Sequence, residues 1–185
     1  MAQVTNIQTG KLTKQQAQPK VGSVISPHRE DVASTLSPQR LGQLMRDADE
    51  GNIEAYLTLA EEMEEREPHY LSVLNTRKMA VSGAPVFVEA PDDSAEAKTI
   101  VEAVERRITQ TPIFEGLVHD LLDGIPKGFS CVEIDWQRDE REWWPRGFEF
   151  REQRHFVFDE DTMRTPLLRT DDGEKGEPLW PYKWL

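Results

Sequence analysis

At 185 residues, 37% of them hydrophobic and 30% charged, the chain is long enough to bury the core of one ordinary domain, with or without a flexible arm. Its one cysteine, Cys131, excludes an intrachain disulfide and any multi-cysteine zinc or iron–sulfur site, which fits a reducing compartment. A formal net charge of -12 argues against a generic electrostatic grip on nucleic acid, because such binding depends on Lys and Arg neutralising phosphates.

Residues 1–36 show no sustained apolar periodicity and are dominated by Gln, Lys, Ser, Thr and Pro, the composition of an arm that cannot repay the entropy of ordering by itself. The first 20 residues hold no apolar signal core. No stretch of the chain reaches the roughly 20 apolar residues needed to span a bilayer, so neither secretion nor a membrane role is expected.

From residue 37 the pattern becomes helical. Ser37 followed by Pro38 predicts an N-cap and first helical position, Leu41, Leu44, Met45 and Ala48 share a face, and Gly51 ends the helix. Asn52 is placed to cap a second helix with Ile53, Tyr56, Leu57, Ala60 and Met63 as its apolar stripe. Pro68 opens a third, along which Leu71, Leu74, Lys78 and Val81 follow the helical spacing. Gly83 reads there as a left-handed C-cap, with Pro85 as a stop. Residues 86–90 (Val-Phe-Val-Glu-Ala) read as a short strand, and Ser94 caps a fourth helix carrying Ile100, Val101, Val104 and Ile108. Thr111 and Pro112 start a fifth, with Ile113, Leu117, Leu121 and Leu122 on its apolar face, broken by the stretch from Gly124 to Gly128.

Past Gly128 the period changes to two, with Ser130, Val132, Ile134 and Trp136 as the core-facing set and Phe129, Cys131, Glu133 and Asp135 on the other side. A charged run at 138–142 followed by Trp143, Trp144 and Pro145 makes the connection to a return strand at 147–151. Residues 156–158 and 167–169 supply further short strands, with a turn at Asp171, Asp172 and Gly173. The order of elements predicts an α+β fold, N-terminal helices followed by a small antiparallel sheet. The final segment, 179–185, is apolar and aromatic, and predicts either immediate docking or a chain cut there.

No catalytic constellation stands out. The four histidines, His28, His69, His119 and His155, are scattered and lie in no nucleophile–base–acid motif. His119 beside Asp120 has the dyad of metal-dependent phosphohydrolases without their further ligands. The pair of glycines around Ile125, Pro126 and Lys127 lacks the Lys-Ser or Lys-Thr of a phosphate loop. Glu61, Glu62, Glu64, Glu65 and Glu67 fan around their helix and are expected to form a solvated acidic surface, not a metal site; near a DNA path such a surface repels phosphates. Of the tryptophans, Trp136 is read as core. Trp143 and Trp144 should point to opposite faces, and together with Trp180 and Trp184 they are the expected subunit contacts.

Ordered strings carry a resemblance. Ser37-Pro38-Gln39-Arg40-Leu41-Gly42-Gln43-Leu44-Met45, Ala48-Asp49-Glu50-Gly51-Asn52, Leu59-Ala60-Glu61-Glu62-Met63-Glu64-Glu65, Pro68-His69-Tyr70 and Val73-Leu74-Asn75-Thr76-Arg77-Lys78 closely resemble the opening of the Mu-like phage portal protein family. Gly128-Phe129-Ser130, Val132-Glu133-Ile134 with Trp136, Arg154-His155-Phe156, Phe158-Asp159 and the stretch from Gly176 to Lys183 are similar to that family in the same order. The resemblance runs over residues 37–185 and implies a wing-like domain truncated before the stem and clip regions. It further implies a homo-oligomeric ring, typically dodecameric, at the capsid vertex of the virion, assembled in the host cytoplasm. Such a ring conducts double-stranded DNA without reading its sequence and docks terminase, head-completion and capsid or scaffold proteins through regions largely outside this stretch. By itself the 185-residue piece is expected to be monomeric. The resemblance implies no enzyme, cofactor or metal. The competing readings are a metal-dependent nuclease or phosphohydrolase using His119, Asp120 and the acidic helix, and a small self-contained adaptor module.

Overall fold

The structure is a computed structural model describing residues 32–138, 142–159, 161–170 and 176–185. Most of the expected arm, residues 1–31, lies outside the described residues, as does the expected turn at Asp171, Asp172 and Gly173. What is described of the arm is not free: after Val32 a 3-10 turn, Ala33–Thr35, sits against the second helix, with the backbone N–H groups of Val32 and Ala33 donating to Glu62 at 3.1 and 2.6 Å.

Helix α1, Pro38–Asp49, begins as its sequence demands. Pro38 occupies the first turn and the Ser37 hydroxyl accepts from the Arg40 N–H at 3.1 Å, satisfying one of the donors that a helix start leaves orphaned. Its end explains why Asn52 caps nothing. Gly51 takes a left-handed φ of 94°, its N–H donates to the Ala48 carbonyl, and the Asn52 N–H reaches back to the Asp47 carbonyl at 2.8 Å. Asn52 therefore closes α1, and α2, Glu54–Arg66, starts from Ile53 without a side-chain cap.

Helix α3, Pro68–Ser82, ends differently from its sequence reading. Gly83 keeps a right-handed φ of -84°, so it is no left-handed cap. Pro85, which has no N–H and restricts the backbone of Ala84, is the stop. Residues 86–90 join no strand ladder among the described residues, because no described strand lies alongside them. Helix α4, Ala95–Val104, is capped by the Ser94 hydroxyl, which accepts from the Ala97 N–H. It widens into a π turn, Glu105–Thr109. Helix α5 spans Pro112–Leu121, although the Thr111 hydroxyl donates to the Ile108 carbonyl instead of capping it. Between Gly124 and Gly128 the chain makes one further helical turn, α6, Gly124–Lys127, closed by Gly128 at a φ of 88°.

Strands β1, Cys131–Arg138, and β2, Trp143–Arg151, form an antiparallel hairpin with a register shift between Asp135 and Trp136. The return strand thus begins at Trp143 and takes up both tryptophans assigned to the connection. A second sheet is built from β3, Phe156–Phe158, β4, Pro166–Leu168, and β5, Glu177–Pro178. The C-terminal segment docks: Val132 and Leu185 exchange backbone hydrogen bonds at 3.1 and 3.0 Å, and the Ile134 N–H donates to the Lys183 carbonyl at 2.7 Å. This makes β1 a central strand. Cys131 and Glu133 are as buried as Val132 and Ile134, with the Lys183 and Arg151 side chains lying against Glu133, so the expected one-sided burial of the strand is corrected.

The core runs from helix to helix and then onto the sheets. Leu44, Leu57, Leu74, Leu117, Val132 and Phe156 are buried along it. Such a side chain contributes roughly 1.5–3 kcal/mol by burial.

Candidate functional site

The charged side chains that define this fold lie inside it. The expected acidic surface on α2 divides. Glu61 turns inward to the Arg154 guanidinium at 2.8 Å and to Lys127 at 3.7 Å, while Glu62, 6% exposed, accepts the two backbone N–H groups of Val32 and Ala33. Glu64 is half-buried, with Oε1 sealed from water and without a hydrogen-bond partner, and burial raises its carboxyl pKa despite nearby Lys127. Only Glu65 and Glu67 are exposed. The five glutamates are therefore not one face.

Around Glu61 a polar network joins the helices to the sheets. Asp123, in the turn before α6, accepts from Lys78 of α3 at 2.9 Å, from Lys127 at 2.8 Å and from the Gln153 amide at 3.0 Å. Burial pushes the Asp123 carboxyl up, but the donations from Lys127, Lys78 and Gln153 outweigh it and hold it at about 2. Arg154 donates to Glu61 and to the Thr58 hydroxyl on α2, and pairs with Glu152. Burial lowers the Arg154 pKa, and the bonds to Glu61 and Glu152 overcome that and raise it. The Tyr56 hydroxyl donates to the Pro126 carbonyl at 3.2 Å. Groups from α2, α3, α6 and the 3-10 turn Gln153–His155 thus meet at one place, fixing helices and sheets relative to one another.

A second buried pair ties down the C-terminal segment. Lys183 Nζ, in a side chain 1% exposed, lies 3.0 Å from Glu133 and donates to the Ile134 carbonyl at 2.8 Å, while Arg151 Nε donates to Glu133 at 2.8 Å. Nothing in the periodicity points to Glu133 or Lys183. Of the interior network, only Lys78 left a trace in the sequence, as a lysine on an otherwise apolar stripe.

The tryptophans take separate places. Trp143 and Trp144 are both half-buried, Arg138 lying over the ring of Trp143 at 5.9 Å and Arg107 over that of Trp144 at 3.9 Å. Trp184 meets Phe156 edge-on at 5.4 Å, and with Trp180, Phe129, Phe158 and Tyr182 it lines a cleft of about 510 Å³. Trp136 donates from its indole to the Tyr182 carbonyl at 2.6 Å.

Groups with chemical potential are dispersed. Cys131 is buried and its thiol is pushed up to about 11 by desolvation, which keeps it out of the thiolate form. His119 is exposed at a groove between α3 and α5, whereas the neighbouring Asp120 is half-buried, with a carboxyl raised by burial. Among the described residues no three His, Cys, Asp or Glu side chains converge as a metal ion requires. No helix among them is long and apolar enough to cross a membrane.

Comparison with known proteins bears on the whole arrangement. The family described as portal protein of Mu bacteriophage matches residues 57–185, which takes in most of α2, the interior network apart from Tyr56, and both sheets. The portal protein of Escherichia phage Mu is 29% identical over 167 residues, 90% of this chain and 32% of that protein. The Mu-like prophage FluMu protein gp29 of Haemophilus influenzae is 31% identical over 107 residues, 57% of this chain and 21% of that protein. The chain spans about a third of the length of the first relative and a fifth of the second. With that match extending over both the helices and the sheets, the chain belongs to the portal protein family of Mu-like bacteriophage, a structural and non-enzymatic family.

Proposed function

We propose that this chain is wing-like material of a portal subunit, residues 37–185 forming the wing and residues 1–36 an arm. In this reading subunits assemble into a ring, dodecameric by family resemblance, at one vertex of the capsid. The ring conducts double-stranded DNA during packaging and ejection and docks the terminase. Head-completion and capsid or scaffold proteins bind parts of a longer subunit, and assembly takes place in the host cytoplasm.

The observation that carries this reading is the family match over residues 57–185. The interior supports it: its buried ion pairs join helix to helix, helix to the turn before β3, and the C-terminal segment to β1, an arrangement suited to holding shape and not to bond chemistry. The net charge of -12, with Glu65 and Glu67 exposed, suits a conduit that repels phosphates and does not retain them. Negative-stain imaging of the complete gene product tests it. Annular particles with a central hole are expected, and compact single subunits at high concentration would contradict it.

A further inference from the structure

We infer that Phe87 of one copy of this chain seats in the aromatic cleft beside the C-terminal segment of the next copy. The inference rests on the ring reading above and names one contact within it. Along residues 86–90 exposure alternates: Val88 lines a hollow with Ala97, Ile100 and Val101 of α4, whereas Phe87 is 79% exposed and Glu89 stands in solvent. Phe87 is the most exposed large apolar side chain among the described residues, and both Val86, next to it, and Ile100, on the same hollow as Val88, are exposed too. Apolar area gathered in water at one place marks a docking surface.

The cleft supplies the complement. It lies among the start of β1, the end of β3, β4 and the C-terminal segment, with Phe129, Phe158, Trp180, Tyr182 and Trp184 on its lining and a volume of about 510 Å³. Pockets of roughly 300–1,000 Å³ enclose small organic groups, so an aromatic ring fits. Phe129 and Phe158 already meet edge-on at 5.1 Å, and a further ring entering the cleft can take the same edge-to-face packing. Tyr182 and Leu185 on the lining are exposed, which leaves the cleft open to water. The hollow under Val88 and this cleft share no residue.

Charge selects the occupant. Arg164 is the one charged side chain among the described residues lining the cleft. It is exposed, and only its backbone N–H is engaged, by Asp159 and Thr162, so the guanidinium has no partner among the described residues. Glu89 is the one charged side chain of residues 86–90, exposed and likewise without a partner among the described residues. The acids that follow it are engaged at home, Asp92 by the Ser94 N–H and Asp93 by Lys98. With the Phe87 ring in the cleft, the carboxylate two residues on reaches the rim where Arg164 stands free. An apolar knob and a cleft on different elements of one chain make a head-to-tail contact between copies, the kind that closes into a ring.

The test uses the complete gene product carrying Phe87→Cys and Tyr182→Cys, treated with a short bis-maleimide, with each single variant as the control for other thiols. Unaltered protein must first form rings in electron micrographs; if it forms none, the ring reading and this contact fall together. The double variant is expected to give a ladder of covalent multimers, the two single variants mixed to give covalent dimers, and either single variant alone to give neither. Cross-links confined to one chain, or none, as when another part of a longer subunit fills the cleft, would overturn the contact and leave the ring reading standing. Charge exchange reads the same contact independently. Glu89→Arg is expected to lower ring yield, counted by mass photometry, by about tenfold, and adding Arg164→Glu to restore it. Unchanged yield in the single variant, or no recovery in the pair, would also overturn the contact.

Discussion

Lys183 and Glu133 show how much of this fold depends on single charges. Both are almost wholly removed from water, 3.0 Å apart, and removing the lysine takes one of its cations from a buried carboxylate to which Arg151 also donates. Lys183→Ala is therefore expected to destabilise the chain by about 3–5 kcal/mol in urea unfolding, while Lys183→Met combined with Glu133→Gln recovers most of the loss. Asp123 makes a pH prediction. Its carboxyl is held at about 2 in the folded chain against an ordinary 3.8, so its contribution is present above pH 4 and is lost as pH falls from about 4 toward 2. Melting temperatures measured across that window should fall less steeply in Asp123→Asn than in the unaltered protein. Neither group was legible in the sequence. Besides Lys127 four residues on, the partners of Asp123 are 45 and 30 residues away on other elements, and Glu61 reaches across 93 residues to Arg154. Whether a glutamate in a run faces water or a guanidinium is decided by such partners, which is why Glu61 and Glu62 turned inward while Glu65 and Glu67 did not.

Helix starts, by contrast, were legible, because their determinants are local. Ser37 accepting from Arg40 and Ser94 accepting from Ala97 satisfy orphan donors within three residues, and both helices begin where those side chains place them. Ser37→Ala should cost about 1 kcal/mol, read by chemical denaturation, and Ser37→Asp should recover it. Ends and strands were less legible. Asn52 is an able cap in isolation, but the left-handed Gly51 before it draws its N–H back to α1. Residues 86–90 have strand composition without a strand, since a ladder needs a partner that composition cannot supply. The burial of Glu133 likewise involves Lys183 of the C-terminal segment, 50 residues later, a non-local event that period-two alternation does not encode.

At the scale of the molecule, the helix-then-sheet order was readable as an α+β fold, and ordered strings from Ser37 onward carried the family. The interior network that joins those halves was not readable. Light scattering coupled to size exclusion tests the portal assignment most directly, applied both to these 185 residues and to the complete gene product. The 21.3 kDa chain is expected to run as a monomer or weak associate, because a ring contact draws on the whole subunit, and the complete product as a closed ring of many copies. A complete product that remains a monomer at high concentration would contradict it.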